Sequence, residues 1–342
     1  MPSDLRHTFG PLGLACGSVL PQVTVAYAAY GRLAEDGSNA ILVTHGYTAS
    51  HQMLAHGQGT AEGSWAPLIG PGKPLDTERY YIVCSNMLGS CYGTTGPGSI
   101  DPRSGRPYGP DFPEITLADV VEVQRRLLEH LGVQRLRTVV GPSFGGFQAL
   151  QWALDQPGRV DAIGVIVSAP RLAPNRHLGM DALLATLRAD PHWNGGHYYE
   201  RGGIVPTLEK IRTETMYAYG MDAVLAARGW APPQRQAHIQ AAAAAWAREF
   251  DGNALVTLLR AAQAFDARPR LEQVRANVLH VVANSDLLFP PDPTMQAAMA
   301  RTRGHRPLRY LEMDTPFGHQ ASGPAHALWS EALRELIEGA GR

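Results

Sequence analysis

The stretch Thr138-Val139-Val140-Gly141-Pro142-Ser143-Phe144-Gly145-Gly146-Phe147 constrains this chain more than any other. It sets G-x-S-x-G between an apolar, β-branched run, LRTVVG (136–141), and a helical pattern that begins near Phe144. A serine there occupies a sharp strand-to-helix turn, where small neighbours let strand and helix approach closely. Gly141 and Gly145 supply them. The helix N-terminus behind Ser143 offers unpaired N–H groups and a positive dipole end, both favourable to developing negative charge. The plainer reading is a glycine-rich turn in which Ser143 only caps the helix. The strand–turn–helix context favours a nucleophile instead.

The rest of the chain repeats the strand–helix alternation. Strand-like runs occur at VTVAYAAYG (23–31), NAILVTHG (39–46), YYIVCSN (80–86), VDAIGVIVSAP (160–170), NVLHVVANSD (277–286) and LRYLEMD (308–314). EITLADVVEVQRRLLEHLG (114–132) has helical spacing, with Thr116 as N-cap, Asp119 three residues on and Gly132 as the stop. Continuous apolar strands alternating with helices predict an α/β protein whose mostly parallel sheet is covered on both faces. Residues 171–266 change character: MDALLATLRAD, ALVTLLRAAQAFD and the alanine run 241–245 are helical, and β-branched runs are few. The expected division is a core of residues 1–170 and 267–342 interrupted by a helical lid, 171–266. An amphipathic helix at 325–338 closes the chain.

Composition narrows the functional classes. With 30 Lys+Arg against 31 Asp+Glu, nothing draws the chain to nucleic acid or an anionic membrane. No run of 18 apolar residues suggests a membrane span, and the N-terminal stretch lacks a basic, then apolar leader, so a cytoplasmic protein is expected. Three cysteines fit neither a disulfide framework nor a zinc cage; Cys84 and Cys91 are expected in the core. No metal-ligand spacing or cofactor motif is visible. The 36 glycines and 26 prolines cluster in GPGKP, GTTGPGS, RPYGPDFP, GPSFGG and FPPDP, which reads as ordered turns near sheet ends.

A serine nucleophile needs a base, and the base needs an acid to hold its tautomer. On a sheet of this kind the chain order is Ser, then Asp or Glu, then His, each past the end of a strand. Asp286 follows NVLHVVANS, and His319 lies in TPFGHQ after LRYLEMD. Asp292, Asp314 and His326 are rivals: Asp314 stands too near the His loop, and His326 falls in the last helical pattern. An oxyanion hole needs two N–H donors, expected from Phe144 and from Tyr47 in HGYTAS.

With those residues in place, the chain resembles the homoserine O-acetyltransferase branch of the α/β-hydrolase superfamily over nearly its whole length. The strings that carry the likeness include LIGPGKPLDTERYYIVCSNMLGSCYGTTGP, YGPDFPEITLADVV, GPSFGGFQALQWALDQP, DPHWNGGHY and REFDGNALVTLLRAAQAFD. The resemblance implies a catalytic Ser143, Asp286 and His319, a helical lid and a homodimer formed through lid helices. It also implies a ping-pong reaction with an acyl-CoA donor as co-substrate and no bound cofactor. In the family a lid arginine pairs with the homoserine carboxylate; aligning LEKIRTETMY puts Lys210 at that place, with Arg212 two residues on. The family's Asp after the catalytic His is Gln320 here. Lys210, Arg212, Tyr217 and Gln320 are therefore the candidate substrate-pocket residues. Both departures fall on acceptor contacts, so an acceptor other than homoserine is expected, with hydrolysis of a small acyl ester as the alternative.

Overall fold

The computed structural model describes residues 4–56, 64–174 and 179–340. Its centre is an eight-stranded sheet: β1 (Leu5–Phe9), β2 (Val23–Tyr30), β3 (Ala40–Thr44), β4 (Tyr81–Ser85), β5 (Leu136–Pro142), β6 (Val160–Ile166), β7 (Asn277–Ala283) and β8 (Arg309–Met313). The spatial order is β1-β2-β4-β3-β5-β6-β7-β8. β1 and β2 run antiparallel to their neighbours, and every later pairing is parallel. Every residue of β3 and β7 is buried, as expected for strands covered on both faces.

Helices α1 (Leu117–His130) and α2 (Phe144–Asp155) cover one face. Thr116 and Asp119 form a capping box at the start of α1: the Asp119 N–H donates to Thr116 Oγ1, and the Thr116 N–H donates to an Asp119 carboxylate oxygen. Leu127, Phe147, Leu150 and Trp152 of these two helices pack into one core with β5 and β6. The opposite face carries a second core around Trp65, Trp329, Leu333 and Ile337. The closing helix starts later than its sequence pattern suggests, at Ser330 (Ser330–Gly339). Burial of Trp329 explains the delay: its indole meets Trp65, and its Nε1–H donates to Ser322 O, which holds the preceding residues in a short turn (His326–Leu328).

Among the described residues, five α-helices lie between β6 and β7: α3 (Met180–Arg188), α4 (Val205–Ala218), α5 (Met221–Ala227), α6 (Pro232–Ala247, containing the alanine run) and α7 (Gly252–Ala264). An antiparallel bridge between Arg171 and Asp266 joins the two ends of this segment. Trp193, Leu208, Leu255 and Leu258 of the segment enter the same core as α1 and α2, so it is packed against the sheet rather than tethered to it. A short helix, α8 (Pro293–Met299), precedes β8, and α9 is Ser330–Gly339. No described helix is long and apolar enough to cross a membrane.

Candidate active site

Parallel strands deliver their carboxyl ends to one edge of the sheet, where ligands of open α/β proteins collect. Thr44 ends β3, Ser143 follows β5, Asp286 lies three residues past β7, and His319 comes shortly after β8.

Ser143 sits at φ 55°, ψ −121°, strained for a residue with a Cβ. It occupies the N-cap position of α2, yet its hydroxyl makes no capping bond. A serine placed only to cap would accept a helix N–H on its hydroxyl oxygen, and this one does not. The glycines on either side are required by close approach. A Cβ on Gly141 or Gly145 would overlap the backbone oxygen of Thr44. Thr44 also ties the turn down, its Oγ1–H donating to Gly145 O at 2.8 Å.

Asp286 and His319 meet in the interior. His319 Nδ1 lies 2.8 Å from Asp286 Oδ2, and neither side chain is exposed. The other Asp286 oxygen accepts from the N–H groups of Leu288 (2.8 Å) and Phe289 (3.3 Å), which fixes the carboxylate and leaves one oxygen for the imidazole. The two supporting loops are laced together: the Gly318 N–H donates to Ser285 Oγ, and the Thr315 N–H to Asn284 Oδ1. The rival acids and the rival base are engaged elsewhere. Asp292 caps α8, Asp314 accepts from Asn284 Nδ2, and His326 Nδ1 bonds Gly323 O in the turn before α9.

Aromatic rings connect the elbow to the histidine. Tyr47 stacks on Phe144 (6.5 Å between centroids), Phe144 touches Phe147, Phe147 meets Phe289, and Phe289 flanks His319 at 5.7 Å. From the helical segment between β6 and β7, Tyr219 stands edge-on to His319 at 4.7 Å. Phe147 and Phe289 thus give the elbow and the acid loop a shared, dry wall.

The loop holding Tyr47 is braced from below. His45 is fully buried; its Nδ1–H donates to Gly46 O (2.8 Å), and its Nε2 accepts from the Met87 N–H. Burial pushes its pKa down to about 4, so it stays neutral in this pair of bonds. Gln148 Nε2–H donates to His45 O at 3.0 Å, and Gln124 in turn bridges Gln148 and Trp152. The Tyr47 hydroxyl donates to Leu255 O (2.6 Å), pinning the same loop to α7.

A cavity of about 210 Å³ opens beside Tyr47 and Tyr219, the two residues that touch the elbow and the histidine from above. Thr48, Arg212, Trp246, Leu183, Leu255 and Leu259 complete most of its wall, and Glu214, exposed, is the one carboxylate in that described lining. Arg212 is buried, its Nη1–H donates to Thr48 Oγ1 at 2.8 Å, and its guanidinium lies 4.8 Å over the Trp246 ring. Trp246 Nε1–H reaches Thr48 O, closing the triangle. Thr48, Arg212 and Trp246 also form a wall of a wider cavity of about 580 Å³.

The structure therefore redistributes the expected pocket residues. Lys210 and Tyr217 are exposed and line neither cavity, whereas Arg212 reaches the inner one. On a helix, two residues correspond to about 200° of rotation, so Lys210 and Arg212 of α4 face opposite ways. The cation of the pocket is Arg212, not Lys210. Gln320 is buried, its N–H donating to Tyr219 O at 3.0 Å. Tyr219, Trp246 and Thr48 carried no sequence signal of their own, although Thr48 belongs to the HGYTAS turn. Cys84 and Cys91 are not reactive thiols: burial raises both, Cys91 to about 12. Among the described residues no cluster of three His, Cys, Asp or Glu side chains is placed to hold a metal ion.

Comparison with known proteins gives this geometry a family. The family model described as alpha/beta hydrolase fold matches residues 39–341. A homoserine O-succinyltransferase of Alkalilimnicola ehrlichii is 34% identical over 98% of this chain and 94% of its own length. A homoserine O-acetyltransferase of Moorella thermoacetica is 37% identical over 91% of this chain and 89% of its own. This chain belongs to the α/β-hydrolase superfamily, in its homoserine O-acyltransferase-like branch. Among solved structures, esterase E22 superimposes with a TM-score of 0.85 at 26% identity, covering 98% of this chain and all of the esterase. The chain is thus similar to homoserine O-acyltransferases in sequence and to an esterase in fold.

Proposed function

We propose that the chain transfers an acyl group from a thioester donor to an alcohol through an acyl-Ser143 intermediate. The observation that carries this reading is the buried His319–Asp286 pair past strand ends on the same edge of the sheet as the strained, non-capping Ser143. His319 takes the Ser143 hydroxyl proton as Oγ attacks the donor carbonyl. The N–H groups of Phe144 and Tyr47 receive the oxyanion. The tetrahedral intermediate collapses, the thiol leaves with the proton from His319, and the acyl group stays on Ser143. An alcohol, deprotonated by the same imidazole, then attacks the ester and regenerates the serine. Asp286 holds the imidazole tautomer and stabilises the imidazolium throughout.

Arg212 supports an acceptor that carries a carboxylate, since a buried guanidinium recognises that group by paired N–H donors. Gln320 offers no negative charge for an ammonium, and Glu214 is exposed, where solvent weakens a charge pair. The acceptor in this reading is a carboxylate-bearing alcohol other than homoserine. The donor is an acyl-CoA thioester, for which the 580 Å³ outer cavity gives room. A cytoplasmic homodimer assembled through lid helices belongs to the same proposal. Hydrolysis of a small acyl ester is the second reading, favoured by the esterase likeness.

Incubation with acetyl-CoA, succinyl-CoA or p-nitrophenyl acetate, followed by mass spectrometry, tests the intermediate. An adduct on Ser143 that is absent in Ser143→Ala is expected; an adduct persisting in the variant overturns the assignment. Thioester turnover that rises with added alcohols supports transfer, and acceptor-independent release confined to oxygen esters leaves hydrolysis. Gln320→Asp is expected to raise homoserine acylation; no change removes Gln320 from the acceptor site.

A further inference from the structure

The turn after β6 repeats, in miniature, the strain of the nucleophile turn beside it. Val167 has φ 41°, a conformation that a β-branched residue rarely adopts. Strain of this kind persists only where the surroundings over-determine it, and here they do. The Val167 N–H donates to Val281 O (2.7 Å), and the Ser143 N–H donates to Ile166 O (2.9 Å). The next residue, Ser168, is fully buried, and its Oγ–H donates to Ser143 O at 2.7 Å. Ser168 is itself held: His280 of β7 donates its Nε2–H to Ser168 O at 2.9 Å. A carbonyl oxygen can only accept, so this bond fixes the His280 tautomer. Gly146 leaves the space, because a Cβ there would come within 2.6 Å of both Ser168 Cβ and Oγ.

The peptide joining Ser143 to Phe144 is trans and planar, so its C=O and N–H point in opposite directions along one rigid unit. Holding the carbonyl therefore aims the N–H. As the first residue of α2, Phe144 has no acceptor for that N–H within the helix. The Gly146 N–H also reaches Ser143 O (2.9 Å), but it belongs to the same turn and moves with it. Ser168 is the brace that comes from a different strand.

We infer that Ser168, backed by His280, is a positioning residue that aims the Phe144 N–H at the oxyanion by gripping the opposite end of its peptide plane. The inference rests on Ser143 acting as the nucleophile. Neither side chain touches substrate; both act through the elbow. Removing an oxyanion donor outright costs about 10²–10³ in rate, so a donor left in place but loosely aimed should cost roughly 10–100-fold.

Ser168→Ala and Ser168→Cys test this with p-nitrophenyl acetate as substrate and an alkyl boronic acid as tetrahedral-state mimic. Expected are a fall in kcat of about 10–100-fold in the alanine variant and an intermediate value for cysteine, a weaker donor of similar size. KM should stay within about twofold. Boronate affinity should fall in parallel with kcat/KM, while the pH midpoint of the acid limb stays put because His319 and Asp286 are untouched. A lowered melting temperature with kcat and boronate affinity unchanged makes Ser168 a packing residue only and overturns the inference. If Ser168→Ala does not fold, His280→Gln, which retains a donor of similar reach, must preserve at least half the activity, and His280→Leu must lose activity to the same degree as Ser168→Cys. Equal activity in those two variants also overturns it. Labelling by a fluorophosphonate separates the two levels. A wild type that is never labelled at Ser143 defeats the nucleophile itself; a labelled wild type with a fully active Ser168→Ala defeats only the brace.

Discussion

Two buried neutral histidines make this fold sensitive to mild acid. Burial lowers both His45 and His280 from 6.5 to about 4, although each gains a hydrogen bond to a backbone carbonyl that favours the charged form. Because the folded values lie below the unfolded value, the unfolded chain binds the extra protons between pH 6.5 and 4. Stability is therefore complete above pH 6.5 and is lost as pH falls through that window. Each histidine accounts for roughly 3 kcal/mol at the bottom of it, by the conversion of about 1.4 kcal/mol per pH unit. Together they approach the whole net stability of an ordinary domain, about 5–15 kcal/mol. His51, also lowered by burial, acts in the same direction. Urea unfolding at pH 8, 7, 6 and 5 measures the effect, since most carboxylates begin to titrate below that range. The expected slope between pH 6 and 5 approaches two protons, about 2.5 kcal/mol per pH unit. In His280→Gln the slope should fall by about one proton, while stability at pH 8 changes little by comparison. A wild-type slope under one proton, or a variant slope equal to wild type, refutes the reasoning.

Further outcomes follow from the site. Gly145→Ala should lose about 1–3 kcal/mol and most fluorophosphonate labelling of Ser143, because the added Cβ must push Thr44 away; wild-type melting and labelling would contradict the packing described. Arg212→Gln should lower kcat/KM for carboxylate-bearing acceptors about 30-fold or more, the equivalent of 2–5 kcal/mol for a broken buried charge contact, and barely affect neutral alcohols. Lys210→Gln, on the opposite face of α4, should change neither, and a matching loss in both variants would place the two side chains in one pocket after all. Asp286→Asn should reduce kcat by about 10⁴ by freeing the wrong imidazole tautomer, so retention of a tenth of the activity with p-nitrophenyl acetate would deny the acid its orienting role.

The central strands were legible because each is rich in apolar and β-branched residues, the pattern that double-sided burial imposes, and β8 at the far edge keeps a weaker version of it in Tyr310, Leu311 and Met313. β1 was not legible, since it lies at the sheet edge and its residues alternate between partly buried and exposed without a strong apolar signature. The residues proposed for chemistry were also legible, because each needs a strand end and a turn that leave marks in the chain. The pocket was harder to read. Arg212 and Thr48 are 164 positions apart, and Trp246 arrives from an alanine-rich helix with no motif. Two residues along a helix turn a side chain to the other side, so of the two candidates Lys210 and Arg212 only Arg212 lines the cavity. Local pattern reports which element a residue occupies; it does not report which distant element that residue meets.

The Arg171–Asp266 bridge makes the whole intervening stretch leave the sheet and return to it at nearly the same point. Its length and content can therefore vary where it does not enter the shared core without shifting the register of β6 against β7. Heredity can rewrite what arrives at the serine around the fixed points where this stretch meets the apparatus beneath it, Tyr219 at His319 and Leu255 at the Tyr47 hydroxyl. Divergence in what is acylated or cleaved on such a frame can be concentrated in this one stretch, within the limits set by the residues it commits to the shared core.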